Sequence, residues 1–438
     1  MYGMLKQFIP SDYCLKCLGC CRFAQNPTIW APQGCKLIQN NNSYICEQLN
    51  LKNNRCEIYR KRPLDCRLYP FLLVKRNHLL QLGLHKSCCF IEENKPDSGI
   101  VREYADYLKR RLNGEEYIAE LRKNPQIAAD YQEDVEILTN DALLNKLTLK
   151  NKPLIDSYLK KNKTHISAYS FAGIFIWQGL FKIFWVIIEK SLAIFYQDKI
   201  GMFMPLAPLG KCNVAVIGRC FEIMRFYNKN SEVSRIENVA EEDLELYSKG
   251  GFRPKLKDRE YICLKKKLVE LAGDSFKPKR SGYNQFSKKY TFKFLKYQPS
   301  MSGDCLKLYR LWMAWRDEKS QDSIYQQMLT DSFISFKTAL KFYQELDLSG
   351  YVVKINAEIK ACSLGYPLNK ETFCVLFEVC DLNLKGIAQF IFREFCKRLS
   401  AYKYINIMGE SDLENLKKVK LSYRPVKEIK VYNIYEKI

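Results

Sequence analysis

Four cysteines occupy eight consecutive positions in the stretch YCLKCLGCCRF: Cys14, Cys17, Cys20 and Cys21. The spacing leaves no room for a hairpin or a helix between them, so a tight loop is expected, with Gly19 relieving backbone crowding. Ten of the 18 cysteines fall within the first 89 residues, and the other eight are scattered without close pairs, as small core hydrophobes are. The opening MYGMLKQFIPSDY has no basic segment leading into a long apolar run, so a signal peptide is not expected. The chain is therefore expected to be cytoplasmic, with its thiols mostly reduced. Close cysteines in a reducing setting point to metal, because each CxxC lets two sulfurs reach one ion. Cys46, Cys56, Cys66 and Cys88 are further candidates. Eight thiolates suit two four-cysteine zinc sites, or one iron–sulfur cluster with spare thiols, since C-x2-C-x2-C also begins an iron–sulfur spacing. Cys35 and Cys89 are weaker candidates, and His85 could replace a thiol.

A chain of 438 residues implies two or three domains. Its 47% apolar content excludes a disordered chain. The net charge of +22 favours phosphate-bearing partners, although a solvated basic surface is the plainer interpretation. The expected divisions are a cysteine-rich metal-chelating domain over 1–100, a helical connector over 101–141, and two α/β halves over 142–298 and 299–438. The connector is read as two helical stretches, the second beginning PQIAADYQEDVEIL. In the α/β part, NVAVIG (Asn213–Gly218), GYVVKIN, ETFCVLFEV and KEIKVYNIY read as β-rich runs. The apolar run Phe171–Ile188 has the length of a short membrane span. It contains Gln178 and Lys182, and a central Lys costs about 2.5–3.5 kcal/mol on insertion. KIFWVIIEKSLAIFY fits two buried strands around a tight turn instead.

Lys249–Lys296 carries 15 Lys and Arg against 4 Asp and Glu, half of the chain's charge excess. Its cations alternate with Phe and Tyr, a mixture suited to phosphates and stacked bases; a solvated helix face with core aromatics is the alternative.

Two resemblances follow from these residues. CLKCLGCC, CEQL, CEIYRKRPLDCRLYPF and the later Cys88–Cys89 pair resemble the CxxCxxCC family of zinc- or iron-chelating domains, over about the first 90 residues. The resemblance implies a metal centre whose ligands are Cys14, Cys17, Cys20, Cys21, Cys46, Cys56, Cys66 and Cys88. In physical terms Tyr59 and Pro63 would pin the loop, while Arg62 and Arg67 would offset thiolate charge. From about Ala142 to Ile438, PLAPLGK, YICLKKKLVELAGDSFKPKRSGYNQF, FEVCDLNLKG and YINIMGESDLENLKKVKLSYRPVKEIKVY resemble the C-terminal domain of phosphatidylglycerol lysyltransferases. This implies a tandem pair of GNAT-like acyltransferase folds that moves an aminoacyl group from aminoacyl-tRNA to a lipid head group. Carried over residue by residue, Lys279, Arg280, Asn284 and Tyr423 would bind substrate, and Glu378, Asp381, Asn406 and Lys420 would serve catalysis.

An aminoacyl ester is already activated, so transfer mainly requires alignment and oxyanion stabilisation. Glu378 or Asp381 would accept a proton or grip the donor's ammonium. Of the three histidines, His78 and His85 lie among the cysteines, leaving only His165 for the α/β part, where a histidine base is not expected. Polar positions of the family are Ala168, Gly173, Ser281–Gly282 and Ile407 here, and the pyrophosphate loop of acetyl-CoA enzymes is missing. Three functions stay open: an aminoacyltransferase with an anionic lipid or peptide acceptor and peripheral membrane association; a non-catalytic tRNA- or lipid-binding protein with a structural metal; and an iron–sulfur redox or sensor protein.

Overall fold

In a computed structural model of the chain, residues 5–437 are described except 18, 29–30, 32–33, 77–78, 113–116, 118–119, 122, 139–143, 163, 229–230 and 318–321. Two compact units result, Met1–Lys146 and Leu147–Ile438. His78 lies outside the described residues.

The first unit is built on a hairpin, Phe71–Arg76 with Leu79–His85, in register Leu73 opposite Leu82. Its two edges are taken by Ala128–Asp130, in parallel, and Val135–Ile137, antiparallel. These two strands replace the second helical stretch expected from the sequence. The segment has apolar residues at helical spacing, Ile127, Tyr131, Val135 and Leu138, but its backbone is instead paired with the two edges of the hairpin. The first stretch is helical, Gly99–Leu112, and buries Val101, Ala105, Leu108 and Leu112, one stripe at helical spacing. A second correction concerns the opening cysteines: Ser11–Cys17 is a short helix that carries Cys14 and Cys17. No loop is needed to bring them together, because i and i+3 share a helix face.

The second unit is mixed α/β, as expected. Phe171–Phe175 is a helix capped by Ser170, whose hydroxyl accepts from the Gly173 amide at 2.8 Å. The apolar run then becomes the hairpin Lys182–Ile188 with Ser191–Gln197, closing at Ile188 opposite Ser191. Glu189 in the turn has a φ of 54°. Among the described residues no helix is long and apolar enough to cross a membrane. NVAVIG, expected as a strand, starts the helix Val214–Tyr227. The Asn213 side chain accepts from the Val216 amide at 2.8 Å, and this cap outweighs the β-propensity of two valines.

The main sheet has eight strands: β1 (Ile236–Ala240), β2 (Arg253–Leu264), β3 (Lys293–Lys296), β4 (Ser349–Ile355), β5 (Glu358–Pro367), β6 (Thr372–Cys380), β7 (Tyr404–Gly409) and β8 (Lys427–Tyr435), in spatial order β1-β8-β2-β7-β6-β5-β4-β3. GYVVKIN, ETFCVLFEV and KEIKVYNIY are β4, β6 and β8. Three helices pack together beside it: α1 (Lys265–Glu270), α2 (Lys277–Lys289) and α3 (Ile387–Arg398). Helix α3 supplies Ile387, Phe390, Ile391 and Phe395 to the core, the spacing of one helix face. It starts at Gly386, φ 88°, where an added Cβ would lie 2.0 Å from the Gly282 carbonyl oxygen. Glycine at 386 is thus required both for its backbone angle and for the close crossing of α2 and α3.

Candidate active site and cysteine cavity

Strands β6 and β7 pair in parallel only at Thr372–Tyr404, Phe373–Ile405 and Cys374–Asn406. Beyond that point both continue without bonding each other, so the sheet opens between them. Glu378 stands on β6 past the last paired residue. Helix α4 (Glu414–Leu421) brings Lys420, whose ammonium donates to the Ile407 carbonyl on β7. Lys279 of α2 sits 3.9 Å from the centre of the Tyr423 ring. Four residues from three segments thus meet at the opening: Glu378 on β6, Lys279 on α2, and Lys420 with Tyr423 at the end of α4.

Their electrostatics are unusual. Burial pushes the Glu378 carboxyl up to about 7, against the opposing pull of Lys279 and Lys420 through space. Burial likewise holds both lysines below the ordinary ammonium range, with Glu378 acting in the other direction. The Tyr423 phenol is pushed far up, by burial first and by Glu378 next. A carboxyl that titrates near neutrality can take and return a proton at physiological pH. Ammonium groups in a poorly hydrated site are strong partners for an oxyanion or a phosphate.

The other expected site residues are placed differently. Asp381 pairs with Lys360 at 3.3 Å and accepts from the Asn383 amide at 3.0 Å, holding the turn after β6. Arg280 donates to the carbonyls of Leu271 and Gly273, both left-handed residues between α1 and α2, so it secures that loop. Asn284 is exposed on α2. Asn406 donates to the His165 carbonyl at 2.6 Å and to Glu260 at 2.5 Å, and accepts from the Met408 amide at 2.6 Å. All its polar atoms are engaged, and it positions the opening rather than facing it. His165 is bonded to the Thr372 hydroxyl at 2.7 Å.

Glu260 and Ser167 were not singled out from the sequence. Glu260, buried on β2, accepts from the Ser167 amide at 2.8 Å, the Ser167 hydroxyl at 2.6 Å and Asn406. The available signal was an acid directly before the apolar run YICL in an otherwise basic segment.

In the first unit a cavity of about 1490 Å³ is lined by seven cysteines, among them Cys14, Cys20, Cys21, Cys46, Cys56 and Cys66. Cys88 is buried at the start of the helix Cys89–Asn94, and Cys89 is exposed. The Arg62 guanidinium lies 3.8 Å from the Tyr59 ring centre and donates to the Tyr59 carbonyl at 3.0 Å. His85 is held through both ring nitrogens, by the Tyr69 hydroxyl at 3.0 Å and Asp134 at 2.9 Å. It is therefore committed and does not replace a thiol. Among the described residues no three His, Cys, Asp or Glu side chains converge on one point as an ion would require. The thiols surround a space instead, and a donor set of sulfur alone suits zinc or iron.

Residues 160–435 match the family model described as "Phosphatidylglycerol lysyltransferase, C-terminal". Among solved structures, the chain is similar to a conserved protein of unknown function from Bacteroides thetaiotaomicron VPI-5482, with 25% identity, a TM-score of 0.61, and coverage of 67% of this chain and 99% of that one. It is also similar to L-PGS from Bacillus licheniformis, at 14% identity and a TM-score of 0.46, covering 67% and 93%. A tandem GNAT protein from the clavulanic acid biosynthesis pathway aligns at 7% identity and a TM-score of 0.39, covering 66% and 97%. No curated protein matches the chain.

Proposed function

The chain belongs to the phosphatidylglycerol lysyltransferase C-terminal family, and from that premise we propose that its α/β unit is an aminoacyltransferase. The donor is aminoacyl-tRNA, and the acceptor is a lipid head group or a peptide amine. The convergence of Glu378, Lys279, Lys420 and Tyr423 where β6 and β7 part carries this proposal. The acceptor hydroxyl or amine attacks the ester carbonyl, a new C–O or C–N bond forms, and the ester bond to the tRNA ribose breaks. Glu378 takes the acceptor's proton and returns it to the leaving ribose oxygen. Lys420 and Lys279 stabilise the oxyanion, or hold a phosphate next to it; one such donor is worth about 10²–10³ in rate. Through its basic surface the protein works peripherally at the cytoplasmic membrane face. The cysteine-rich unit chelates zinc or iron, and the metal would tie together the cysteine-bearing segments around the cavity. The arginines near it, Arg62 above all, would offset thiolate charge.

The test is direct. Full-length protein is incubated with tRNA charged with a labelled amino acid and with phosphatidylglycerol vesicles or an amine-bearing peptide. Label should move into lipid or peptide, and transfer no higher than in protein-free controls rejects the proposal.

A specific observation favours a second function, binding without turnover. A Cβ on Gly173 would lie 3.0 Å from the Ser167 carbonyl oxygen and 3.2 Å from the Tyr366 hydroxyl, and one on Gly282 would lie 3.1 Å from Gln389. Packing thus closes the place at Gly173, and crowds the one at Gly282 against a side chain that can move, where the family carries polar side chains. That function predicts salt-sensitive tRNA or lipid binding with no transfer.

A further inference from the structure

We infer that Glu410 is a further substrate-binding residue of the site where β6 and β7 part, and that its carboxylate holds the α-ammonium group of the aminoacyl moiety while Lys279 and Lys420 face the substrate's negative end. The inference rests on the transferase proposed above. It adds how the donor is oriented. Nothing in the sequence singled out Glu410.

Glu410 follows directly on the end of β7. The last pair joining β6 to β7 is Cys374–Asn406. Glu378 lies four residues beyond it on one strand (374 to 378), and Glu410 four residues beyond it on the other (406 to 410). By chain count the two acids stand level on the two lips of the opening. Around Glu410 the backbone leaves strand geometry. Met408, Ser411 and Asp412 have φ of 62°, 52° and 59°, angles that residues with side chains rarely adopt. Asn406 fixes this shape by accepting from the Met408 amide at 2.6 Å, and Asp258 by accepting from the Ser411 amide at 3.1 Å. Gly409 runs so close to Asp258 that an added Cβ would lie 2.3 Å from its carboxylate.

The distorted loop turns Glu410 inward, leaving it 7% exposed. The Tyr261 hydroxyl donates to its carboxylate. Tyr261 is buried in the same apolar cluster as Tyr423, Ile407 and Phe392, so Glu410 is anchored to the packing that carries the site's tyrosine. Its second oxygen, Oε2, is buried and has no hydrogen-bond partner. Arg259 acts on Tyr261 through space but makes no bond to that oxygen. A buried carboxylate oxygen without a donor is unfavourable. Glu260 shows how the fold satisfies an acid that it uses for itself, with Ser167 and Asn406 bonded to it. At Glu410 the remaining donor comes with the ligand.

The ligand class follows from charge. A carboxylate repels the phosphates of tRNA and lipid, and it cannot bond an ester carbonyl, which has no donor. The α-ammonium is the cationic donor common to every aminoacyl ester, and charge-assisted N–H···O bonds are the strong ones. Lys279 and Lys420 repel that group and attract the ester oxygen or a phosphate. Cations beside Glu378 and a free carboxylate oxygen at Glu410 thus set the direction of the substrate. Glu378 is left to proton transfer.

The test reads binding. Full-length protein is titrated calorimetrically with 3′-aminoacylamino-3′-deoxyadenosines, amide analogues of the tRNA terminus, over a panel of the standard amino acids. Each is used with its α-amine free and with that amine acetylated. The free-amine form should bind about 10- to 100-fold more tightly. Glu410→Gln should remove this preference, Tyr261→Phe should weaken it, and Asp381→Asn should leave it intact. Equal binding of both forms, binding of neither, or an undiminished preference in Glu410→Gln overturns the inference. If circular dichroism shows the Gln variant unfolded, Tyr261→Phe takes its place. A preference that depends on Glu410, in a chain that moves no label, rejects the transferase and leaves the ammonium site standing. Equal binding in a chain that moves label does the reverse.

Discussion

Two glutamates in the main sheet, Glu260 on β2 and Glu378 on β6, are treated in opposite ways. Both are desolvated, and burial raises both carboxyls. Glu260 is surrounded by donors: the Ser167 amide and hydroxyl and the Asn406 amide group bond it directly. Glu378 is instead influenced by two lysines acting through space. Where the sheet is continuous, a buried charge is consumed in holding segments together. Where β6 and β7 part, a similar charge remains available for a reacting molecule. A desolvated acid is thus not by itself a functional residue; what distinguishes the two is whether the fold has already used its hydrogen-bonding capacity.

The most severe way to break the comparison is Glu378→Gln. Removing a general base should lower transfer by about 10²–10⁴, with little loss of stability. The wild-type rate should fall with acid below about pH 7, the range in which Glu378 takes up its proton. Stability should move in the opposite sense. The folded chain holds the Glu378 proton up to about 7, and the ordinary value is 4.5. Between those values the folded state binds more protons, so stability declines as pH rises through that window. The Gln variant should flatten this decline in urea titrations at several pH values. An unaltered rate in the variant would remove Glu378 from the site.

Glu260→Ala should act on stability first. It strands the Ser167 and Asn406 donors in the core, at about 1–3 kcal/mol, read as a lower urea midpoint at constant slope. A variant as stable as wild type would erase the contrast between the two acids. The smallest effect is expected at Asp381. Asn at this position keeps the oxygen that accepts from the Asn383 amide and loses only the pair with Lys360, so Asp381→Asn should leave transfer unchanged and shift the midpoint slightly. A large loss of transfer would return Asp381 to the catalytic group.

Local signals carried a good part of the molecule. Apolar and β-branched runs mark β4, β6, β8 and the hairpin Lys182–Gln197, because a strand's side-chain pattern is written in adjacent residues. The same kind of signal failed at Asn213, where one cap converted a valine-rich run into a helix, and at 125–137, where pairing with a preformed hairpin produced strands. Lys279, Glu378, Lys420 and Tyr423 were named from motif resemblance, and the structure places them together. Arg280, Asn284 and Asp381, named on the same basis, lie in a loop clamp, on an exposed helix face and in a turn.

From the sequence alone, then, came the strand-forming runs, the density of thiols near the start and the basic character of Lys249–Lys296. Tertiary structure alone decided which acid is satisfied and which is left available. The reason is distance along the chain. Glu260 meets Ser167 across 93 residues and Asn406 across 146, and no periodicity in a short window encodes such a partner. Residue type sets what a side chain can do, whereas the long-range packing around it determines whether that capacity is spent.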